Sequence, residues 1–400
     1  MTLSDELFTG HWNSSADRCP EPEGESLQGS FCDGNFTESM SNVSGNLGEI
    51  EGSAGWWLDT AVVLAVVQIL KMAIIPAVSI LGAAGNLISV LVISKSGLRK
   101  TSNILLFALS AEDASFLIGV NNIPFLLYTY VDGDADGWHF SESISHALYC
   151  FYFVFAWFQN IGLWCSMTIL AFMTIERLLA IFFPLKFRII VTPFRTWTTL
   201  LLMLLYYNGS FAFGLTWHQF YYFNRNTTSF GIIGSSTVIN RQKNKALLDA
   251  LETVLIVTTG ILPLSIVISW SVIISFKVAR AARQRKTMTS SSSSSSSVAT
   301  RSVANSRTTR TLLTVCVVYS ITGSFHYIID EIFTLTISEN VEVQLFQALK
   351  KLSICINSAC NFLIYVTTNK DFRMFLRRSL FKGMNGAKSD GKARKMAVRF

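Results

Sequence analysis

The stretch NIGLWCSMTILAFMTIERLLAIFFPLK, residues 160–186, decides the fold. Sixteen uncharged residues lead to the pair Glu176-Arg177, and six more apolar ones lead to Pro184. The apolar run around it spans roughly residues 147–183. A helix needs about 20 mostly apolar residues to cross the roughly 30 Å hydrocarbon core of a bilayer. This run meets that length. Its acid–base pair falls near one end, where membrane meets water.

Working outward, six further runs have the same character: roughly 61–94, 102–130, 196–217, 250–277, 310–333 and 344–368. Composition agrees. Charged residues are 15% of the chain, against roughly 25% in soluble domains, mean hydropathy is +0.40, and Phe occurs 30 times. That is too little charge to clothe a soluble surface, which excludes disorder and argues against a cytosolic enzyme. Backbone groups in lipid must be satisfied internally, so the runs are expected to be helices. The expected fold is an all-α membrane protein, a seven-helix transmembrane bundle over 61–368.

The charges sort by side. Lys95, Arg99, Lys100, Lys186, Arg188, Arg195 and the basic residues of a connection at about 278–309 lie on one side. So does the 369–400 tail, which holds ten basic residues against two acidic ones after residue 369. Residues 1–60 carry eleven Asp or Glu and one Arg, and the second-to-third connection holds Asp132, Asp134, Asp136 and Glu142. Basic loops stay cytoplasmic, so the N-terminus is expected outside and the protein in the plasma membrane. The glycosylation sequons at Asn13, Asn35, Asn42 and Asn226 all fall on that outer side. A fifth, at Asn208, lies within a span and is expected unmodified. With no signal-peptide pattern, the first span is expected to anchor a disordered, glycosylated tail of residues 1–60. The basic inner face suits membrane lipid and an acidic cytosolic partner; nothing points to nucleic acid.

Ionisable residues inside a membrane are costly and therefore suspect. Foremost are Glu112-Asp113 in the second run, Glu176-Arg177 in the third and Lys350-Lys351 in the seventh, while Lys71 in the first lies near its outer end, where a long side chain can snorkel. Around them stand Gly85-Asn86; Asn103, Leu106, Leu109 and Asp113; Glu176-Arg177-Leu178 with Pro184-Leu185 seven residues after Arg177; Pro263; Asn357-Ser358; Asn361-Phe362-Leu363-Ile364-Tyr365; and Asp371-Phe372-Arg373. In order, spacing and helix assignment these resemble the rhodopsin-like G-protein-coupled receptors over about residues 65–380. The resemblance implies a short amphipathic eighth helix and a switch made of Glu176, Arg177, Asn361 and Tyr365. It implies a regulatory sodium ion, the only cofactor expected. Its site is Asp113 with Ser166, Asn357 and Ser358, near Asn86 and Asn361. A purely structural polar network is the alternative for that cluster.

Several positions depart from the family's pattern. The sixth run reads Val317-Val318-Tyr319-Ser320-Ile321-Thr322-Gly323-Ser324-Phe325-His326, without the usual Trp and Pro. Phe362 replaces a proline, Ser271 a tyrosine, and Tyr206 or Tyr207 a tryptophan. Cys150 resembles the family's disulfide cysteine, yet residues 217–249, where its partner is usual, contain no cysteine. A Cys19–Cys32 bridge and a tether from Cys150 to one of them are both open. Cys165, Cys316, Cys355 and Cys360 read as packing residues.

The ligand pocket is expected between the third, fifth, sixth and seventh helices. Gln159, Asn160, His326, Asp330 and Lys351, with Glu252, Glu331 and Lys350, would form its polar, mixed-charge rim. By resemblance, the neutral Gln159 argues against amines, and the absence of lysine at Cys355 argues against retinal. The pattern is similar to invertebrate peptide receptors and molluscan chemosensory receptors. The expected partners are an extracellular peptide or small polar ligand and a heterotrimeric G protein. Ser290–Ser297 beside a basic run reads as a linker or as a phosphorylation segment for a receptor kinase and arrestin. The competing class is a transporter or ligand-gated channel, which predicts internal repeats that the chain lacks. No enzyme motif is present.

Overall fold

A computed structural model describes residues 60–130, 138–216, 218–224, 229–235, 245–289, 314–325, 341–368, 372–374 and 376. Asn13, Asn35, Asn42, Asn226, Cys19, Cys32, His326, Asp330, Glu331, the serine run and most of the basic tail lie outside those residues, as does the side chain of Glu252.

Among the described residues the chain is a helical bundle of seven principal helices with one β-hairpin. Helix α1 is Thr60–Ser96, with a π turn at Leu70–Ile74. Helix α2 runs Thr101–Gly119 and resumes as Ile123–Tyr130. Pro124 has no N–H to offer the carbonyl four residues back, so the helix is interrupted before it, and Asn122 caps the new segment by accepting from the Phe125 N–H at 3.1 Å. Helix α3 is Glu142–Phe182, 41 residues and so about 60 Å long. It stops before Pro184, which opens a short helix, Pro184–Ile190. Helix α4 is Pro193–Leu215, its first turn capped by Thr192, whose Oγ1 accepts from the Arg195 N–H at 3.3 Å. Strands β1, His218–Asn224, and β2, Ser229–Ser235, then form an antiparallel hairpin pairing Tyr221 with Ile232.

Helix α5 comprises Lys245–Ile256, a π turn at Val257–Ile261, and Leu262–Thr289. It continues well past the apolar run, into the connection expected from about 278. Both π turns end two residues before a proline, Pro76 or Pro263. Proline lacks the N–H that the i→i−4 ladder needs there, so the chain widens by one residue instead. Helices α6, Thr314–Phe325, and α7, Val341–Thr368, complete the bundle. Helices α1 to α5 each contain a stretch long and apolar enough to cross a membrane. Helix α7 has the length but carries Lys350, Lys351, Asn357, Ser358 and Asn361 along it.

The core surrounds α3. Ile104, Leu109, Leu117, Cys165, Ile169 and Val267 are fully buried. Helices α2 and α3 cross with their backbones touching: a Cβ at Gly162 would collide with the Phe116 N–H and the Glu112 carbonyl, and one at Gly119 with the backbone of Gln159. The outward faces are apolar, with Leu81, Leu202, Val272 and Ile321 exposed, the pattern of a surface solvated by lipid.

Candidate functional site

Three polar or aromatic regions lie along α3. The first is at mid-bundle. Asp113 is completely buried, and one of its oxygens accepts from Asn361 Nδ2 at 2.6 Å, joining α2 to α7. Asn86 on α1 donates to the Ser358 carbonyl at 2.9 Å, not to Asp113. Asn86 and Asp113, expected to face each other, are each bonded to α7. Ser166 spends its hydroxyl on the Leu163 carbonyl at 3.2 Å, and Asn357 is buried nearby on α7. Among the described residues, Asp113 Oδ1, Asn86 Oδ1, Ser110 Oγ and Ser358 Oγ are buried without a hydrogen-bond partner. Buried polar atoms are nearly always satisfied, so these four oxygens, one of the carboxylate and three of neutral side chains, require an account. Ser110 lies one turn before Asp113 and was not among the expected ligands. Its only sequence signal is that spacing.

Phe362 stands where a proline was noted as missing. Its ring packs where a Cβ on Gly85 would clash, and it lies 6.3 Å from the Phe372 ring. Gly85 therefore makes room for the substitution, and α7 stays helical through it.

The second region is the C-terminal end of α3. Glu176 and Arg177 are both buried, with 3.8 Å between Oε2 and the guanidinium. The N-terminus of α2 holds the pair. Thr101 and Ser102 donate to Glu176 Oε1 at 2.8 and 3.1 Å, and Arg177 donates to Ser102 Oγ at 2.6 Å. Ser102 thus relays between acid and base. Neither hydroxyl was expected from sequence. Arg177 Nε and Glu176 Oε2 have no hydrogen-bond partner among the described residues. Close by, Thr174 meets Cys316 of α6 at 3.4 Å, and Lys277 of α5 sits 3.6 Å over the Phe182 ring. Tyr365 is buried on α7, 6.1 Å from Phe372.

The third region is the N-terminal end of α3, which is aromatic. Trp138 is buried and donates to the Pro124 carbonyl at 3.2 Å, fixing the α2–α3 connection. His146, Tyr149 and Phe153 face the hairpin. Of the expected pocket residues, Gln159 and Lys351 are half-buried. Asn160 departs from the expected rim position. It is 1% exposed, and its amide donates to the Ala156 carbonyl of its own helix at 2.7 Å. Between the ends, Thr168 and the Tyr207 hydroxyl of α4 share a 2.6 Å hydrogen bond, and Tyr207 also reaches the Thr258 carbonyl in the α5 π turn at 3.4 Å. The tyrosine pair at Tyr206-Tyr207 thereby joins α3, α4 and α5.

No curated protein matches the chain. The family model described as 7 transmembrane receptor (rhodopsin family) matches residues 85–365, well over half of the chain. That span begins at Gly85, beside the Asn86 contact, and ends at Tyr365, so it encloses both polar regions. The chain is a multi-pass membrane protein that belongs to the rhodopsin family of seven-transmembrane receptors, and such proteins are signalling receptors, not enzymes.

Proposed function

We propose that this receptor sits in the plasma membrane with its N-terminus outside, binds an extracellular peptide or other small polar ligand, and activates a heterotrimeric G protein. The observation that carries the reading is the buried Glu176–Ser102–Arg177 relay at the C-terminal end of α3. A buried charge pair held by hydroxyls of a neighbouring helix has a second available arrangement, in which Arg177 leaves Ser102 and faces the cytosol. Helix movements that favour the second arrangement transmit the signal, provided the ligand binds that state more tightly. Tyr365 and Asn361 on α7 would move with it.

The mid-bundle cluster fits a hard monovalent cation. Asp113 supplies the charge, while Asn86, Ser110 and Ser358 supply neutral oxygens without other partners; Ser166 and Asn357 complete the set. Sodium held there would tie α1, α2 and α7 together and favour the resting state. Asp113→Asn is expected to abolish any difference in ligand affinity between sodium chloride and choline chloride. A sodium effect that survives in that variant removes the ion from this site. Ser290–Ser297 is the proposed target of a receptor kinase, with arrestin as reader. Desensitisation unchanged after Ser-to-Ala replacement across 290–297 would refute it.

The reading as a whole is tested by screening peptides and polar solutes against cells expressing the receptor, with cyclic-AMP and calcium readouts. Wild type should respond and Arg177→Ala should not. A ligand-dependent ion current that needs no G protein would overturn the reading in favour of a channel. Expression in sensory epithelium, as against neurons or glands, decides between a chemosensory cue and an internal peptide.

A further inference from the structure

The hairpin between α4 and α5 is anchored to α3 by a repeated side-chain pattern. Alternate residues of a strand point to one face, and His218, Phe220 and Tyr222 of β1 share such a face. On α3, His146, Tyr149 and Phe153 are spaced by three and four residues, which sets them on one side of the helix. The two rows meet. The Phe220 ring lies 5.3 Å from both the His146 and the Tyr149 rings. The His218 ring lies 5.5 Å from that of Phe153. Two hydrogen bonds run alongside: the Tyr222 hydroxyl donates to the Phe140 carbonyl at 3.0 Å, and the Tyr149 hydroxyl to the His218 carbonyl at 3.5 Å. Within α3, Tyr149 and Phe153 pack edge to face at 4.9 Å, so the helix side of the contact is itself braced.

Covalent chemistry does not supply this attachment from within the hairpin. Residues 217–249 hold no cysteine, and Cys150, next to Tyr149, is exposed and bonded to no other described cysteine. We propose that Phe220, flanked by His218 and Tyr222, is the positioning residue of an aromatic latch that holds the α4–α5 connection against α3 in place of a disulfide. The latch rests on the fold and not on the receptor reading above, so the two stand or fall separately. It makes the placement of this connection independent of redox conditions and dependent on one row of rings.

The test is hydrogen exchange on the full-length protein in lipid nanodiscs, followed by mass spectrometry of peptides covering 218–235, with and without tris(carboxyethyl)phosphine. In the wild type, hairpin amides should be protected equally in both conditions. Phe220→Ala should speed their exchange at least tenfold while leaving α3 residues 165–182 and the melting temperature near wild type. Phe220→Tyr should restore protection. If Phe220→Ala does not accumulate, Tyr149→Leu and the wild-type reductant comparison carry the test. The latch is refuted if reductant alone frees the wild-type hairpin, which would assign the hold to a Cys150 tether. It is equally refuted if removing the Phe220 or Tyr149 ring leaves exchange unchanged.

Discussion

The two ends of α3 are held by opposite kinds of chemistry. At the Glu142 end, rings pack on rings, and the contacts with the hairpin are mainly apolar. At the Phe182 end, a buried acid and base are held by two hydroxyls through bonds of 2.6 to 3.1 Å. Aromatic packing is tolerant in direction and contributes about 0.5–1.5 kcal/mol per pair beyond area burial. Hydrogen bonds to charged groups are directional and contribute about 1.5–3 kcal/mol each. An assembly of the first kind softens gradually when disturbed. An assembly of the second kind has discrete alternatives, because a buried charge must exchange one partner for another. The aromatic end suits a fixed platform and the ionic end suits the switch proposed above, and both lie on one continuous helix.

The most damaging way to break this comparison is to attack both ends from between them. Gly162 lets the backbones of α2 and α3 touch near the middle of α3. Gly162→Leu cannot be accommodated without separating the helices, since the obstacle is the backbone at Glu112 and Phe116. Overpacking costs about 1–3 kcal/mol where side chains can yield, and more where they cannot. The expected outcome is a large fall in melting temperature, with Ser102 pulled from Arg177 and the hairpin loosened together. If only one end responds, α3 does not act as a single strut.

Next in size is a change confined to the ionic end. Ser102→Ala removes the relay between Glu176 and Arg177 and leaves a buried guanidinium short of an acceptor. A loss of about 1.5–3 kcal/mol from the resting arrangement corresponds to roughly a tenfold to hundredfold shift toward the alternative. Agonist-free nucleotide exchange on the G protein should rise accordingly, with hairpin protection unchanged. Basal activity equal to wild type would show that Ser102 is an incidental neighbour.

A smaller effect is expected from Tyr149→Ala at the aromatic end. It deletes the pairs with Phe220 and Phe153 and the bond to the His218 carbonyl. About 1–3 kcal/mol of local stability should be lost from the hairpin, with agonist-free exchange on the G protein unchanged. A rise in basal signalling would mean that the two ends are coupled and that the platform is part of the switch.

The ionic end was legible in the sequence because charge is conspicuous inside an apolar run. Glu176, Arg177 and Asp113 announce themselves by what they cost. Their partners do not. Thr101 and Ser102 sit about 75 residues away in sequence, and hydroxyls near a helix start are commonplace. Phe220 is one ring in the run His218-Gln219-Phe220-Tyr221-Tyr222-Phe223, and no local signal distinguishes the face that packs. The missing cysteine in 217–249 posed the question of what holds the hairpin, but only the meeting of a two-residue period with a helical one answers it. Helices α1 to α5 were legible from length and hydropathy, whereas α7 carries too many polar residues for hydropathy alone to mark it and α6 is described only over Thr314–Phe325. The two π turns were not legible, since proline alone does not say whether a helix kinks or widens.

The finest test of the comparison is Tyr222→Phe. This change keeps the ring and removes only the hydroxyl that donates to the Phe140 carbonyl at 3.0 Å. If the latch is an aromatic device, the loss is that of one neutral hydrogen bond, about 0.5–1.5 kcal/mol, and the strand stays docked through His218 and Phe220. Hydrogen exchange should then rise by no more than about tenfold, confined to the Asn224 end of β1 and its partner residues in β2. Complete release of the hairpin would show that a directional polar bond governs this end as well. The contrast between platform and switch would then lie in what each bond is coupled to, since both ends would depend on the same kind of bond.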